Sequence, residues 1–364
     1  MRNIIKVYLG MDVHEQSIAL ACYIDFELAP RFQKTIVNSK EAIKKEFEKI
    51  SALGEIHCCY EAGFSGYHLY RYINSLGYDC KVIAPSLIPQ KAGDKVKNDK
   101  RDAKKLSELL RANLLTMVNV PSVEAEQDRA LIRLRGQIRK DLIRAKHRIT
   151  KSLSLKGLSF NGTNWTLAHR QYLKNLKLEG LEKIVLDEYL TNLSYLESRL
   201  KDIEAEIKKL AFTDKYKTKV NALNCFRGIS TLTSMTLLTE IKQIQNSPDK
   251  LMSYFGLTPS EHSSGQNTYK GKITKQGNAR LRHIIIEAAW HYVRSPKISP
   301  AQTKKFAGQD KEITLIAIKA LKRLNKRFYN LAVRKDRNVA IVAVARELVG
   351  FIWAAMVKIE GKYI

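Results

Sequence analysis

The sequence has little cysteine, and its cysteines are not spaced for metal or disulfide chemistry. Five are present, none in a CxxC pair, and four fall in strand-like apolar runs near the amino end. A disulfide framework or a structural zinc site needs cysteines clustered at short, regular spacings. We therefore expect buried free thiols, as in a protein of the reducing cytoplasm.

The sequence also lacks a long uninterrupted apolar run. Its most apolar segment, 339–356, contains Arg346 and Glu347 near the middle. A charged pair at the centre of a membrane-spanning helix is unfavourable, so we interpret this segment as a buried core helix. The amino end shows a strand pattern rather than the apolar run of a secretion signal, and we expect no secretion.

Acidic residues are scarce beside basic ones. Lys and Arg number 63 against 36 Asp and Glu, which gives a formal net charge of +27. This balance excludes an acidic metabolic enzyme as the default expectation and makes a polyanion, above all nucleic acid, the expected partner. With 364 residues, 45% of them hydrophobic, the chain has the composition of a folded protein of two or three domains.

Residues 1–120 alternate strand and helix patterns. Three short strands come first, and the later elements are a helix at 39–53, a strand at 55–60, a helix at 67–76, a strand at 80–84, a basic loop at 91–97 and a helix at 99–115. The order βββαβαβα is typical of ribonuclease-H-like nuclease domains and differs from the repeated βα order of a dinucleotide-binding fold. We predict an α/β domain of the ribonuclease-H-like class over 1–120.

The rest of the chain is predicted to be mostly helical. Residues 123–156 form one basic helix, with ten Lys or Arg against a single acid between 129 and 156. Apolar residues then recur every three or four positions from Leu186 to Leu210, which favours equally a coiled coil and a hairpin with the basic helix. We predict a basic and coiled-coil module over 121–215, then a helical domain over 216–364 with a polar loop at 260–278.

Four carboxylates stand where the predicted elements can bring them together. Asp12 follows the first strand, Glu61 ends the fourth, and Asp99 and Asp102 share one face of a helix. The first and fourth strands are neighbours in a ribonuclease-H-like sheet. Taken singly, each acid is more often a turn or cap residue, and Asp99 alone can be an N-cap. Together they indicate a divalent-cation site for Mg²⁺, or Mn²⁺, acting on a phosphodiester.

The motifs around these acids occur in a recognisable order. They are Gly10-Met11-Asp12-Val13, Tyr60-Glu61-Ala62-Gly63, Val82-Ile83-Ala84-Pro85-Ser86 and Asp99-Lys100-Arg101-Asp102-Ala103. A second set comprises Gly256-Leu257-Thr258-Pro259, His262-Ser263-Ser264-Gly265, Lys270-Gly271-Lys272-Ile273-Thr274-Lys275-Gln276-Gly277 and Leu281-Arg282. As a set, over nearly the whole chain, they resemble the DEDD transposases, the insertion-sequence recombinases often called the "one-ten" family. One departure is Phe226-Arg227-Gly228-Ile229-Ser230, where that family often has a Pro-Gly-Ile-Gly hairpin.

The resemblance implies a RuvC-like amino-terminal domain and a helical transposase domain. It implies that Asp12, Glu61, Asp99 and Asp102 are catalytic metal ligands and that Ser264 is a nucleophile forming a phosphoserine–DNA link. It also implies a structured non-coding guide RNA as a partner beside DNA. From the residues alone, an ordinary loop serine is the commoner interpretation, Ser263 is an adjacent rival, and His262 is more often a solvated side chain than a base.

Basic residues near these motifs are the expected contacts to phosphates. These expected contacts are Arg133, Arg139, Lys140, Arg144, Lys270, Lys272, Lys275, Arg280 and Arg282. The heptad pattern and the separation of the acids from the serine favour a homo-oligomer, a dimer or tetramer, in which one working site draws on two subunits. Three rival interpretations are a RuvC-like endonuclease acting through water, an actin-like ATPase or sugar kinase, and a non-catalytic nucleic-acid-binding protein. Bulky Val13 after Asp12 argues against the ATPase, which needs small residues there.

Overall fold

The computed structural model describes residues 5–89, 98–241, 246–264 and 267–361, and the chain folds as two compact units, Met1–Pro121 and Ser122–Ile364. The basic loop expected at 91–97 lies outside the described residues. The first unit is a mixed α/β sheet with helices, and the second is almost entirely helical, as predicted. Further division of the second unit near residue 215 stays a prediction.

The first unit is built on a five-stranded sheet in the order β3-β2-β1-β4-β5. The strands are β1 Lys6–Val13, β2 Ser17–Ile24, β3 Phe32–Val37, β4 Glu55–Glu61 and β5 Asp79–Ile83. Strand β1 pairs antiparallel with β2 and parallel with β4, as expected for the first and fourth strands. Strand β1 continues further than predicted because β2 pairs with it up to Val13, so Asp12 lies inside the strand and not after it.

The α-helices among the described residues of this unit are α1 Lys40–Ser51, α2 His68–Ser75 and α3 Asp99–Arg111. Ser39 caps α1 as predicted, accepting from the Ala42 N–H at 3.2 Å. The N-cap of α3 is Asn98, whose side chain accepts from the Lys100 N–H at 3.0 Å, so the interpretation of Asp99 as a cap is wrong. Helix α3 ends earlier than predicted because Asn113 turns the chain at a φ of 53°.

Helix α3 lies against β1 with no room for a side chain between them. A Cβ atom on Gly10 would stand 2.1 Å from the Ala103 carbonyl oxygen and 2.5 Å from the Ser107 backbone nitrogen. Ala19, Ala21 and Ala103 are buried together at the same crossing. Small residues therefore let α3 approach the sheet closely, and the first turn of α3 carries Asp99 and Asp102.

The second unit begins with a long helical hairpin, α4 Val123–Ser154 and α6 Gly180–Ala211, with the short α5 Leu167–Asn175 between them. Ile132 near the start of α4 packs with Ile207 near the end of α6, and Leu153 at the end of α4 packs with Leu186 near the start of α6. The two helices are therefore antiparallel. The apolar seam of α6 is buried on α4 of the same chain, which is the hairpin alternative rather than a coiled coil between subunits.

The remaining elements surround a helical core. They are α7 Lys217–Asn224, α8 Thr231–Glu240, α9 Pro248–Tyr254, β6 Pro259–Ser264, β7 Asn267–Ile273, α10 Ala279–Ala289, α11 Pro300–Phe306, α12 Lys311–Ala332 and α13 Arg337–Ile359. Among the described helices, α13 alone has the length and apolar composition to cross a membrane. Its residues Ile341, Val344, Leu348 and Ile352 are buried in the core of this unit, as the prediction of a core helix requires.

The prediction of a polar loop at 260–278 is wrong for most of that range, because β6 and β7 form an antiparallel hairpin there. Glu261 pairs with Lys270 and His262 with Tyr269 across the two strands. The loop prediction rests on the polar, glycine-containing sequence of this segment. Its strands are paired through backbone hydrogen bonds and carry opposite charges at the Glu261–Lys270 position, and neither feature follows from hydropathy alone.

Candidate functional site

The candidate site lies at the carboxyl end of the central strand β1. Asp12 is the next-to-last residue of β1, and His14 follows two positions later, on the same side of the chain. The turn after β1 is held by two hydrogen bonds at His14. Its N–H donates to the Ser17 carbonyl at 2.8 Å, and its carbonyl accepts from the Asn38 side-chain amide at 2.8 Å. The direction in which His14 leaves the strand is therefore fixed.

Helix α3 brings a second carboxylate to this point. The His14 Nε2 atom lies 3.4 Å from Asp12 Oδ2 and 3.3 Å from Asp99 Oδ2. One potential ligand atom from each of the three residues lies within 4.8 Å of the others. Asp12 and Asp99 are far apart in the sequence, so the structure joins two of the predicted acids and adds a histidine.

The other two predicted acids border this cluster. Burial is the main cause of the raised pKa of Asp12, and the charge of Asp102 adds to it after that of Asp99. Glu61 is the last residue of β4, one position beyond Tyr60, which pairs with Met11 of β1. Glu61 therefore ends the strand beside Asp12, with an exposed side chain.

The electrostatics of Asp12 fit a cation-binding position. Burial raises the pKa of Asp12, the charge of His14 opposes that rise, and the charges of Asp99 and Asp102 add to it. A carboxylate held close to two others is unfavourable in its ionised form unless a cation compensates it. The oxygen donors gathered here are those that hard divalent cations prefer. The donor set thus fits a divalent metal.

The predicted nucleophile belongs to the second unit. Ser264 is the last residue of β6, where its backbone pairs with Asn267, and its side chain lies outside the described residues, as does that of His262. The rival Ser263 donates its hydroxyl to the Glu261 carboxylate at 2.7 Å. The hydroxyl of Ser263 is thus engaged within its own strand.

Two of the predicted nucleic-acid contacts are held by a buried acid that sequence analysis missed. Glu240, at the end of α8, is only 2% exposed and accepts two hydrogen bonds from Arg133 of α4, at 2.8 and 2.9 Å. The Asn278 amide donates to it at 3.0 Å, and Arg280 Nε stands 3.4 Å away. We name Glu240, Arg133, Asn278 and Arg280 the Glu240 cluster. It joins α4 and α8 to the start of α10, just after the β6–β7 hairpin.

The other predicted basic residues differ in their surroundings. Arg282 donates to the carbonyls of Phe255 and Lys275, each at 3.1 Å, and Arg144 forms a surface ion pair with Asp141 at 2.5 Å. Arg144 is exposed, and so are Arg139, Lys140, Lys270, Lys272 and Lys275. The positive charges of these exposed side chains are accessible to the phosphates of a nucleic acid. Their role in binding stays a prediction.

His14 and Glu240 were absent from the residues predicted from the sequence. A signal for His14 was available, because Asp12-Val13-His14 places two metal-ligand residue types two positions apart at a strand end. Nothing near Glu240 in the sequence marks it, since its partners lie on α4 and at the start of α10. Such a residue is found only when the helices are placed in space.

Comparison with known proteins identifies the chain. A family model of DEDD transposases matches residues 9–156, and a model described as the transposase IS116/IS110/IS902 family matches residues 220–304. The first range contains the cluster of Asp12, His14 and Asp99, and the second contains Ser264. The transposase for insertion sequence element IS1533 of Leptospira borgpetersenii is 35% identical over 342 residues, covering 91% of this chain and 98% of that protein.

Two further relatives are similar over most of their length. The protein y4qE of Sinorhizobium fredii is 34% identical, covering 96% of this chain and 88% of its own, and the transposase for insertion sequence element IS1111A of Coxiella burnetii is 24% identical, covering 97% and 90%. The chain is therefore a transposase, an enzyme of DNA transposition, from a DEDD family that implies use of a divalent metal. The chain belongs to the IS116/IS110/IS902 family of DEDD transposases.

Proposed function

We propose that this transposase cuts and rejoins DNA with a divalent cation, Mg²⁺ or Mn²⁺, held in a ribonuclease-H-like, RuvC-like domain, and with Ser264 as the nucleophile. The cation ligands of this proposal are Asp12, Glu61, Asp99 and Asp102. The observation that carries it is the convergence of Asp12 and Asp99 on one point, each within 3.4 Å of the same nitrogen. The strand register beside Glu61 and the effect of Asp102 on the pKa of Asp12 support the full set.

The support for Ser264 is of a different kind. It stands in the segment matched by the second family model, and the adjacent rival, Ser263, has its hydroxyl bonded to Glu261. In the proposed step the Ser264 oxygen forms a bond to a DNA phosphorus, and one phosphorus–oxygen bond of the backbone breaks. The serine loses a proton and the departing DNA hydroxyl gains one. The phosphoserine link retains the bond energy for rejoining.

The carboxylates and basic residues have separate tasks in this reaction. When bound, the cation supplies Lewis acidity to the oxygens of the reacting phosphate. The carboxylates fix its position at the end of β1, and the exposed lysines of β7 and the following turn, Lys270, Lys272 and Lys275, hold the DNA backbone near the serine strand. Exposed Arg139 and Lys140 extend the positive surface along α4.

The partners proposed are the DNA of the element ends and target, a structured non-coding guide RNA, and further copies of this chain. The net charge of +27 supports a polyanion in general and does not distinguish DNA from RNA. The guide RNA rests on the family resemblance. Oligomer formation rests on the separation of the carboxylates and the serine into two folding units.

The decisive experiment is detection of a covalent protein–DNA adduct. The full chain is incubated with labelled DNA of its own element, the co-expressed RNA of that element and Mg²⁺, then denatured and resolved on a gel. We expect an adduct that Ser264→Ala abolishes and that the matched control Ser263→Ala retains. If no adduct forms and Ser264→Ala still cuts the DNA, the protein is instead a metal-dependent endonuclease acting through water.

A further inference from the structure

The proposed function leaves the third member of the cluster without a role. The His14 ring points its Nε2 atom at both Asp12 and Asp99. We propose that His14 is itself a ligand of the divalent cation, so that the site binds Co²⁺ and Mn²⁺ more tightly, relative to Mg²⁺, than carboxylates alone would. This inference rests on the proposed cation site at Asp12 and deepens it by naming a nitrogen donor.

The separations between the three side chains match those of ligands around one ion. In an octahedral site with bonds of about 2.1 Å, neighbouring ligand atoms lie ~3.0 Å apart and opposite ones ~4.2 Å apart. The His14 Nε2 atom is 3.4 Å from one carboxylate oxygen and 3.3 Å from the other, and the three ligand atoms lie within 4.8 Å of one another. An ion placed among them therefore reaches all three with only small side-chain movements.

The backbone holds His14 in this position before any ion binds. Its N–H and its carbonyl both take part in hydrogen bonds, to Ser17 and from Asn38. Asp12 is fixed by the pairing of β1 with β2, and Asp99 by the first turn of α3. The His14 side chain is 48% exposed, so its ring has room to adjust while the backbone stays still. Such an arrangement lowers the conformational cost of ligation.

The chemistry of the donor decides which ions gain from it. Mg²⁺ is a hard cation that is bound almost entirely by oxygen, whereas imidazole nitrogen is a good ligand for transition-metal ions. Affinity for a site with nitrogen ligands rises from Mn²⁺ to Co²⁺ in the usual order of divalent ions. Loss of His14 should therefore weaken Co²⁺ most, Mn²⁺ less and Mg²⁺ least.

A second histidine of the same unit provides a matched control. His57 on β4 also lies between two acids, with Nδ1 3.1 Å from Asp79 and Nε2 3.9 Å from Glu55. There the Lys81 ammonium is 2.7 Å from Asp79 and already neutralises it. Replacement of His57 by glutamine thus changes a histidine beside acids without changing the proposed cation site.

The test measures ion binding by the full chain in the absence of nucleic acid. Binding of Co²⁺, Mn²⁺ and Mg²⁺ is followed by calorimetry for the wild type, His14→Gln, His57→Gln and Asp12→Asn, each checked for folding by circular dichroism. Electron spin-echo spectroscopy of bound Mn²⁺ reports whether an imidazole nitrogen is coordinated. We expect His14→Gln to lose the nitrogen signal and to weaken Co²⁺ binding by on the order of tenfold, with a smaller effect on Mg²⁺, while His57→Gln matches the wild type.

The outcomes separate this inference from the proposed function. A nitrogen signal that survives in His14→Gln, or an equal loss of affinity for all three ions, overturns the role of His14. If Asp12→Asn binds all three ions as the wild type does, the cation site itself is wrong. If Asp12→Asn loses binding while His14→Gln keeps the wild-type ion preference, the carboxylate site stands and only the histidine ligand is rejected.

Discussion

Gly10 controls the geometry of the site at the scale of a single residue. Because a Cβ at this position would stand 2.1 Å from the Ala103 carbonyl, which is backbone and cannot rotate away, Gly10→Ala must push α3 off β1. We expect the free energy of unfolding of the first unit to fall by about 1–3 kcal/mol. We also expect weaker divalent-ion binding, because Asp99 moves away from Asp12.

Urea unfolding and calorimetric Mn²⁺ titration of the full chain measure these two effects of Gly10→Ala. Gly63→Ala is the matched control, since the nearest atom to its Cβ, the Glu61 carbonyl oxygen, would be 3.8 Å away, an ordinary contact. Ion affinity equal to the wild type in Gly10→Ala would mean that α3 does not position Asp99.

The acids were predictable from sequence one by one because each lies next to a strand end or in a helix start that hydropathy reveals. Asp12, Glu61 and Asp99 stand in such places, and the meeting of Asp12 with Asp99 follows from strand order and the helix after β5. His14 was not identified because its contribution depends on the turn held by Asn38 and Ser17. The spacing Asp12-Val13-His14 marks His14 as a candidate ligand, but the hydrogen bond from Asn38, 24 residues away, does not follow from any local pattern.

At the scale of elements, the Glu240 cluster joins three helices through one carboxylate. Burial raises the pKa of Glu240, but the hydrogen bonds and charge of Arg133, then Asn278 and Arg280, outweigh it, and the pKa is lowered from 4.5. The stabilisation from ionised Glu240 is therefore fully present above that ordinary value. It is lost as the pH falls through the lowered pKa of the folded state.

Glu240→Gln tests this arrangement. At neutral pH we expect a loss of about 1–3 kcal/mol in the free energy of unfolding, because a buried amide replaces the carboxylate that accepts charge-assisted hydrogen bonds from the half-exposed Arg133. Acidification should remove the contribution of ionised Glu240 from the stability of the wild type. It should remove no such contribution from the variant, since glutamine does not titrate. Urea unfolding at neutral pH and below the ordinary value of 4.5 measures both.

Glu197→Gln serves as the comparison for Glu240→Gln. Glu197 also accepts two hydrogen bonds from an arginine, Arg170, at 3.1 and 2.6 Å, but its side chain is 31% exposed. Because solvent screens this pair, we expect Glu197→Gln to lower the free energy of unfolding by at most about 1 kcal/mol. An equal loss in the two variants would show that burial of Glu240 contributes nothing.

Helix boundaries in the second unit were largely predictable, whereas the partners of the helices were not. The basic helix begins at Val123 as predicted, since Ser122 caps it, accepting from the Ala125 N–H at 3.2 Å. The heptad pattern of α6 identified its buried face correctly but left open what covers it. Only the packing of Leu186 and Ile207 on α4 shows that the cover comes from the same chain.

At the scale of the whole molecule, the proposed reacting groups are divided between two folding units. The carboxylates belong to Met1–Pro121 and Ser264 to Ser122–Ile364. We predict that one working site takes its carboxylates from one subunit and its serine from another. Inactive Ser264→Ala chains mixed with inactive Asp102→Ala chains should then recover DNA adduct formation.

The mixing experiment needs a negative control, a variant that cannot restore the activity of Ser264→Ala. Ser264→Ala mixed with the double variant carrying both Ser264→Ala and Asp102→Ala has no intact serine in any subunit, and it should stay inactive. Absence of recovery in the first mixture, under conditions where each variant still binds DNA, argues that each chain supplies its whole site. The net charge and the motif order could not decide this, because neither depends on how folded units assemble.

The two units differ in when they can be completed on the ribosome. All strands and helices of the first unit precede Pro121, so this unit can fold once that stretch has emerged. The core of the second unit includes α13, whose buried Ile341, Leu348 and Ile352 lie near the carboxyl end. Translation that stops before Arg337 therefore yields a complete amino-terminal unit attached to a second unit that lacks the α13 side chains of its core.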